Sequence, residues 1–164
     1  LMYNVDENLD ELINGFFENY FGVAKATMRK IFNEQRAMFA EKFNGTCPEY
    51  GDMSQYLSVN KNWFDRTKYV KWIKLIDEAY SAVTAAKNAG QITEQEAARI
   101  TRAVKLESMS LRAVYIEYFS DWKTSQELDY SKSTMIKNWK SDASELGMTL
   151  WAEHEDLTTH YKKW

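Results

Sequence analysis

Proline is almost absent from this chain of 164 residues, and Pro48 is the only one. Because proline breaks the interior of helices and strands, its absence elsewhere allows long helices to run uninterrupted. The six glycines fall between segments in which apolar residues recur every three or four positions, which is the spacing of a helical face. The sequence therefore predicts an all-α fold: a single helical bundle of about five or six helices with little or no sheet.

The first two predicted helices are defined by their ends. Asp6 is the predicted N-cap of the first helix, and Gly22 is its predicted C-terminal stop. A second helix is predicted over residues 23–43. The first helix carries its apolar residues on one face: Leu9, Leu12, Ile13, Phe16, Phe17 and Tyr20.

Later helices carry stronger start signals. A third helix is predicted to begin after Asp65. Thr93 and Glu96 have the spacing of a capping box, which predicts the start of a long fourth helix that reaches about Asp121. Ser131 or Ser133 is predicted to cap a fifth helix that ends before Gly147, and Asp156 is predicted to cap a short last helix.

Composition excludes several functions. A formal net charge of −3, with acidic and basic residues interleaved, provides no basic stripe for a nucleic-acid backbone. No apolar run is long enough for a transmembrane helix. The lone cysteine, Cys47, excludes an internal disulfide. A length of 164 residues suits one compact domain.

Catalytic patterns are missing. No phosphate-binding glycine loop, nucleophile elbow or CxxC pair is present, so no catalytic residue, cofactor or metal site is predicted. The two histidines, His154 and His160, flank an acidic run, but their spacing does not place two ligands on one helical face. This segment is predicted to be solvated and partly helix-capping. The lowest-ranked hypothesis is an enzyme that uses Glu153, His154 and Glu155.

Aromatic residues make up 15% of the chain, which is a high share. Several fall off the clean apolar stripes, and flat rings of this kind stack on sugars or anchor interfaces. The alternative is that they close the ends of the bundle core. The candidates for carbohydrate binding or an interface are Tyr50, Tyr56, Trp63, Trp139 and Trp151.

The beginning of the chain resembles a known pattern. Residues 1–4, the acidic run over 6–10 and the segment LINGFFENYFG over 12–22 resemble the stretch that follows the barrel in α-glucuronidase-like and hexosaminidase-like bacterial proteins. The pattern is most typical of a large, uncharacterised glycoside-hydrolase-like family of Bacteroidetes, catalogued as a domain of unknown function. The helix over 94–119 and the segment over 146–149 are similar to later parts of that family.

The resemblance implies a helical C-terminal region that packs on a catalytic barrel. The catalytic carboxylates of such proteins lie on the barrel, so no catalytic residue is transferred to this chain. The apolar start at Leu1, which has no helix-start signal, favours a C-terminal fragment of a larger protein. A periplasmic or cell-surface location is implied as well. The alternatives are a carbohydrate-binding module and a helical protein-interaction domain.

Overall fold

The computed structural model describes residues 8–43, 65–119, 127–152 and 155–164. These ranges contain five long helices: α1 (Leu9–Phe21), α2 (Lys25–Phe43), α3 (Arg66–Asn88), α4 (Glu94–Tyr118) and α5 (Lys132–Leu146). A 3-10 turn, Gly22–Ala24, joins α1 to α2. The predicted all-α helical bundle is confirmed.

A small β-ribbon and a short helix follow α5. Strands β1 (Leu150–Ala152) and β2 (Glu155–Asp156) pair antiparallel, with Leu150 opposite Asp156. Helix α6 (Leu157–His160) follows directly and continues as a 3-10 turn, Tyr161–Lys163. These two short strands form the one sheet within the described residues, in agreement with the prediction of little or no sheet.

Side-chain caps explain where most helices begin. The Asp65 carboxylate accepts the backbone N–H of Thr67 at 2.9 Å, and Thr93 Oγ1 accepts the N–H of Glu96 at 3.1 Å. Ser131 likewise caps α5. Each cap satisfies backbone donors that the first turn of a helix leaves free. These predicted starts are confirmed, because capping depends on residues that are close in sequence.

The start of α1 differs from the prediction. Its N-cap is Asn8, whose side-chain oxygen accepts the N–H of Asp10 at 2.9 Å, so the prediction of Asp6 was wrong. Both residue types suit the position, and the sequence pattern alone did not distinguish them. The fourth helix also ends earlier than predicted, at Tyr118.

Gly22 ends α1 as predicted. Its φ of 47° lies in the left-handed region, and its N–H donates to Glu18 O. A Cβ atom at this position would lie 2.7 Å from Ile100 Cδ1. The positive φ favours glycine here, and a side chain would also press on the end of the Ile100 side chain from α4.

The chain divides into two compact units, each with its own apolar core. The first unit comprises Leu1–Ala37 and Leu75–Val104, and its buried side chains include Phe17, Phe21, Met28, Ile31, Ile76, Ile100 and Val104. The second unit comprises Met38–Lys74 and Lys105–Trp164, and its buried side chains include Met38, Tyr69, Trp72, Ile73, Tyr115 and Trp139. The description of the chain as a single domain stays a prediction.

A charged network links α4 to α5 within the second unit. The Asp142 carboxylate lies 3.0 Å from Lys105 Nζ and 2.8 Å from Arg112 Nη1. Glu145 adds a second carboxylate, 2.6 Å from Lys105 Nζ. Burial lowers the pKa of Lys105, but the hydrogen bonds that it donates to Glu145 and Asp142 raise it, and the net shift is upward. Asp142 therefore compensates two cations that are largely removed from water.

Candidate functional site

Most of the predicted aromatic candidates have no described side chain. Tyr50, Tyr56 and Trp63 lie outside the described residues. Trp151 contributes backbone to β1, but its side chain is likewise outside the description. For these four residues, carbohydrate or interface contact stays a prediction.

Trp139 is a core residue, so its prediction as a surface candidate was wrong. It is 1% exposed, and its Nε1–H donates to Met109 O at 2.9 Å. The Trp164 ring packs edge-on against it, with ring centroids 5.1 Å apart. Trp139 closes the core between α4 and the C-terminal residues, so its ring is unavailable for stacking on a sugar. Trp139 therefore fits the alternative reading of the sequence, in which aromatic rings close the bundle core.

Helix α1 presents apolar side chains to solvent. Leu9 is 64% exposed, Leu12 is 47% exposed and Phe16 is 51% exposed. We call these three residues the α1 strip. Large apolar side chains are often exposed singly, but three on one stretch of helix form a patch that the rest of the first unit does not cover.

The geometry of the helix explains why the α1 strip stays uncovered. At ~100° per residue, the apolar residues of α1 span roughly 180° of its circumference. Phe17 and Phe21 occupy the half of this arc that the first unit buries. The α1 strip occupies the other half. One helix face therefore packs inward while an adjacent apolar face remains available to another surface.

Aromatic stacking holds the α1 strip in place. The Phe16 and Tyr20 rings stack with centroids 5.1 Å apart and an interplanar angle of 19°. Arg99 of α4 donates from Nη1 to Tyr20 O at 3.0 Å, which fixes the end of α1. On the buried side of α1, the Arg29 guanidinium of α2 lies 5.2 Å from the centre of the Phe17 ring. The strip is thus displayed on an anchored helix rather than on a loose end.

Two acidic side chains lie on the polar side of α1, roughly 100° or more around the helix from the α1 strip. Glu11 and Glu18 lie about two turns apart on the polar side of the helix. Lys25 pairs with Glu18, and this hydrogen bond is the main reason that the pKa of Glu18 is lowered. No cation of the described residues pairs with Glu11. The polar side of α1 therefore carries one carboxylate, that of Glu11, which no cation of the described residues balances.

His160 forms a second polar cluster, which contradicts the prediction of a solvated segment. Its side chain is largely buried, with the whole residue 4% exposed. Its Nε2 atom lies 2.6 Å from Glu117 Oε1, and Nδ1 lies 3.4 Å from Glu155 Oε2. Trp164 Nε1–H donates to the same Glu117 oxygen at 2.8 Å. The partner on α4 is distant in sequence, which is why the local pattern around the histidines did not reveal it.

This cluster holds the C-terminal residues on α4 and offers little for catalysis. The imidazole and one glutamate oxygen are engaged with each other, and the His160 ring has almost no access to solvent. Within the described ranges, no three histidine, cysteine, aspartate or glutamate side chains are arranged to hold a metal ion. Glu153 and His154 lie outside the described residues. We assign the cluster a role in attachment of the C-terminal segment.

Acid is expected to loosen this attachment. The hydrogen bond from Lys163 lowers the pKa of Glu155, burial opposes this, and the contact with His160 lowers it further. Asp156 also has a lowered pKa, chiefly because it accepts the N–H of Thr159. A carboxylate whose pKa is lower in the folded state stabilises the fold above its unfolded pKa and loses that contribution as the pH falls.

The free energy of unfolding should therefore decline as the pH drops below the ordinary range of a glutamate. Urea denaturation at a series of acidic pH values measures this decline. Glu155→Gln should make the decline shallower, because the substituted residue no longer titrates. Glu78→Gln, at an exposed position of α3, is the matched control. Its free energy of unfolding should decline with falling pH as steeply as that of the wild type. Equal slopes for wild type and Glu155→Gln would contradict the role given to Glu155.

The sequence missed the α1 strip as a surface. The periodic pattern grouped the apolar residues of α1 into one face, which favoured burial of all of them. The unusual width of that face was the available signal, because a helix at a bundle surface needs an apolar arc of only about 100°.

No described helix is long and apolar enough to cross a membrane. Comparisons of the chain with protein-family models, with curated proteins and with solved structures found no match.

Proposed function

We propose that this chain is a non-catalytic helical C-terminal domain of a glycoside-hydrolase-like protein. It packs on an upstream catalytic barrel of the same polypeptide and supports it, using the α1 strip as the contact. The observation that carries the proposal is the exposure of Leu9, Leu12 and Phe16 on an anchored helix. The glycoside-hydrolase context is supported by the resemblance of residues 1–22 to the segment that follows such barrels.

The small free energy that the α1 strip can contribute to binding favours a partner within the same polypeptide. Full burial of one large apolar side chain contributes about 1.5–3 kcal/mol, and each residue of the α1 strip is already about half covered. Covering the strip is therefore worth about 3 kcal/mol in total. A separate partner with a micromolar dissociation constant needs about 8 kcal/mol. A tethered domain needs much less, because the linker supplies a high effective concentration.

The carbohydrate-binding alternative has lost one of its candidates. Trp139 is buried, and the other four candidate side chains are not described. The interaction-domain alternative uses the same α1 strip but assigns it to a separate molecule, so the experiment below distinguishes the two.

The test compares amide hydrogen exchange in α1 between the isolated 164-residue chain and the complete polypeptide that contains it. Docking should slow exchange of the α1 amides at least about tenfold in the complete polypeptide. The double substitution Leu12→Ser and Phe16→Ser should abolish that protection with little effect on the isolated chain, because both side chains already face solvent.

Glu94→Gln serves as the control, since it alters an exposed helical residue that belongs to α4 and not to the α1 strip. It should leave the protection of α1 unchanged. Equal exchange of α1 in the isolated chain and in the complete polypeptide would refute the proposal. Self-association of the isolated chain, abolished by the double substitution, would instead support an interaction domain.

A further inference from the structure

The C-terminal segment, residues 155–164, covers part of the core of the second unit. Leu157 and His160 are buried within it. The rings of Tyr161 and Trp164 pack against Trp139, with ring centroids 6.1 Å and 5.1 Å away. Detachment of this segment would therefore uncover the Trp139 ring, so whatever controls the attachment also controls access to this part of the core.

His160 lies between two carboxylates that come from different elements. Glu117 belongs to α4, and its Oε1 atom lies 2.6 Å from His160 Nε2. Glu155 belongs to β2, and its Oε2 atom lies 3.4 Å from His160 Nδ1. The first distance is that of a short hydrogen bond, and the second is that of an ion pair. Each nitrogen of the imidazole ring thus faces an acceptor.

A neutral imidazole suits only one of these two contacts. One of its nitrogens carries a hydrogen and the other carries a lone pair. If Nε2 donates to Glu117, the lone pair of Nδ1 faces the Glu155 carboxylate, and the two negative ends repel each other. The imidazolium carries a hydrogen on both nitrogens, so it can donate to Glu117 and attract Glu155 at the same time.

The charges around the ring also favour the imidazolium. Lys163 Nζ pairs with Glu155 at 2.5 Å. Among the described residues, His160 is the one basic side chain within ion-pair distance of Glu117. Two carboxylates thus share one ammonium group, and protonation of His160 supplies the second positive charge.

The other titratable groups of the packed elements leave this balance unchanged. Asp156 accepts the N–H of Thr159 at 2.8 Å, and Lys140 Nζ of α5 lies 4.6 Å from the centre of the Tyr161 ring. Burial raises the pKa of two phenols, which stay uncharged in the range where an imidazole titrates: Tyr118 and Tyr161.

We propose that His160 is a proton-dependent latch, in which the imidazolium fastens the C-terminal segment to α4 and loss of one of its protons loosens the segment and uncovers Trp139. A contact made by the protonated form contributes at lower pH and is lost as the pH rises. Attachment then has an upper pH limit in addition to the acid limit that involves Glu155. The latch lies within the second unit and does not depend on the α1 strip.

The test measures amide hydrogen exchange over residues 157–164 of the 164-residue chain at a series of pH values. NMR follows the titration of the His160 imidazole in the same samples. Protection factors, which correct for the pH dependence of intrinsic exchange, should fall at least about tenfold as the imidazole loses its proton. Amides of α1 should keep their protection, because the first unit contains no histidine. Constant protection of the segment across the titration would overturn the proposal.

Two histidine variants identify the proton that matters. His160→Gln should abolish the fall in protection, because an amide does not titrate in this range. His154→Gln is the matched control, since it replaces the other histidine of the chain in the same way, and it should retain the fall. Persistence of the fall in His160→Gln, or its loss in His154→Gln, would contradict the assignment to His160 and overturn the proposal.

Glu117→Gln provides a decisive result even if His160→Gln leaves the segment unattached at every pH. An amide can accept from an imidazolium or donate to the bare nitrogen of a neutral imidazole. The His160 titration should therefore persist, while the protection of the segment changes by less than about twofold across it. A fall as large as that of the wild type would show that the contact with Glu117 does not fasten the segment, and the proposal would fail.

Discussion

Trp139→Ala is expected to lower the free energy of unfolding by about 3–5 kcal/mol, the range for truncating a large buried aromatic side chain. The whole side chain is buried, and its loss leaves a cavity next to Trp164. Trp139→Phe should cost less, because most of the packing is retained. The remaining cost comes from the lost hydrogen bond to Met109 O, which is worth about 1 kcal/mol. Guanidinium denaturation monitored by far-UV circular dichroism measures these differences.

Phe16→Ala is the matched comparison for Trp139. It also truncates an aromatic ring, but on the half-exposed α1 strip, so it should lower the free energy of unfolding by only about 1 kcal/mol. A similarly small effect of Trp139→Ala would show that the ring is accessible. Its candidacy as a sugar-stacking residue would then be restored.

Asp142→Ala is expected to lower the free energy of unfolding by about 2–3 kcal/mol. The substitution removes the shared carboxylate and leaves Lys105 and Arg112 close together in a poorly hydrated position. Breaking a buried pair in this way costs more than the pair contributes, because a charge remains without compensation. Urea denaturation at neutral pH measures the loss.

Glu145→Gln is the control for the same network. Its side chain is 64% exposed, against 19% for Asp142, so its ion pair with Lys105 is screened by solvent. We expect an effect below about 1 kcal/mol. Asp142→Asn should fall between the two, because it keeps the volume and part of the hydrogen bonding. Equal effects of Asp142→Ala and Glu145→Gln would contradict the central role of Asp142.

The helix ends were predictable because their causes are local. Thr93 and Glu96 are three residues apart, and the N–H of the second donates to the side chain of the first without help from any other part of the chain. Gly22 also ended α1 as predicted. The close approach of Ile100 to Gly22 was not predictable, since the two residues are far apart in sequence.

The candidate surface was harder to predict because exposure depends on what packs against a residue. Trp139 lies off the clean apolar stripe of its helix, yet Met109 and Trp164 enclose it. Phe16 lies on such a stripe and is half exposed. His160 is the same case for a polar residue, since Glu117 reaches it from another helix. Periodicity identifies which residues share a face, but it does not identify which faces are covered.

An all-α chain follows from local sequence, because one proline, the spacing of the glycines and the side-chain caps favour helices that satisfy the backbone hydrogen bonds. Which apolar face of α1 is buried, and which remains as the α1 strip, depends on packing. Helix formation is governed by residues within about one turn. Burial depends on which segments, distant in sequence, pack against each other. The apolar arc of α1 is wider than the face that the first unit covers.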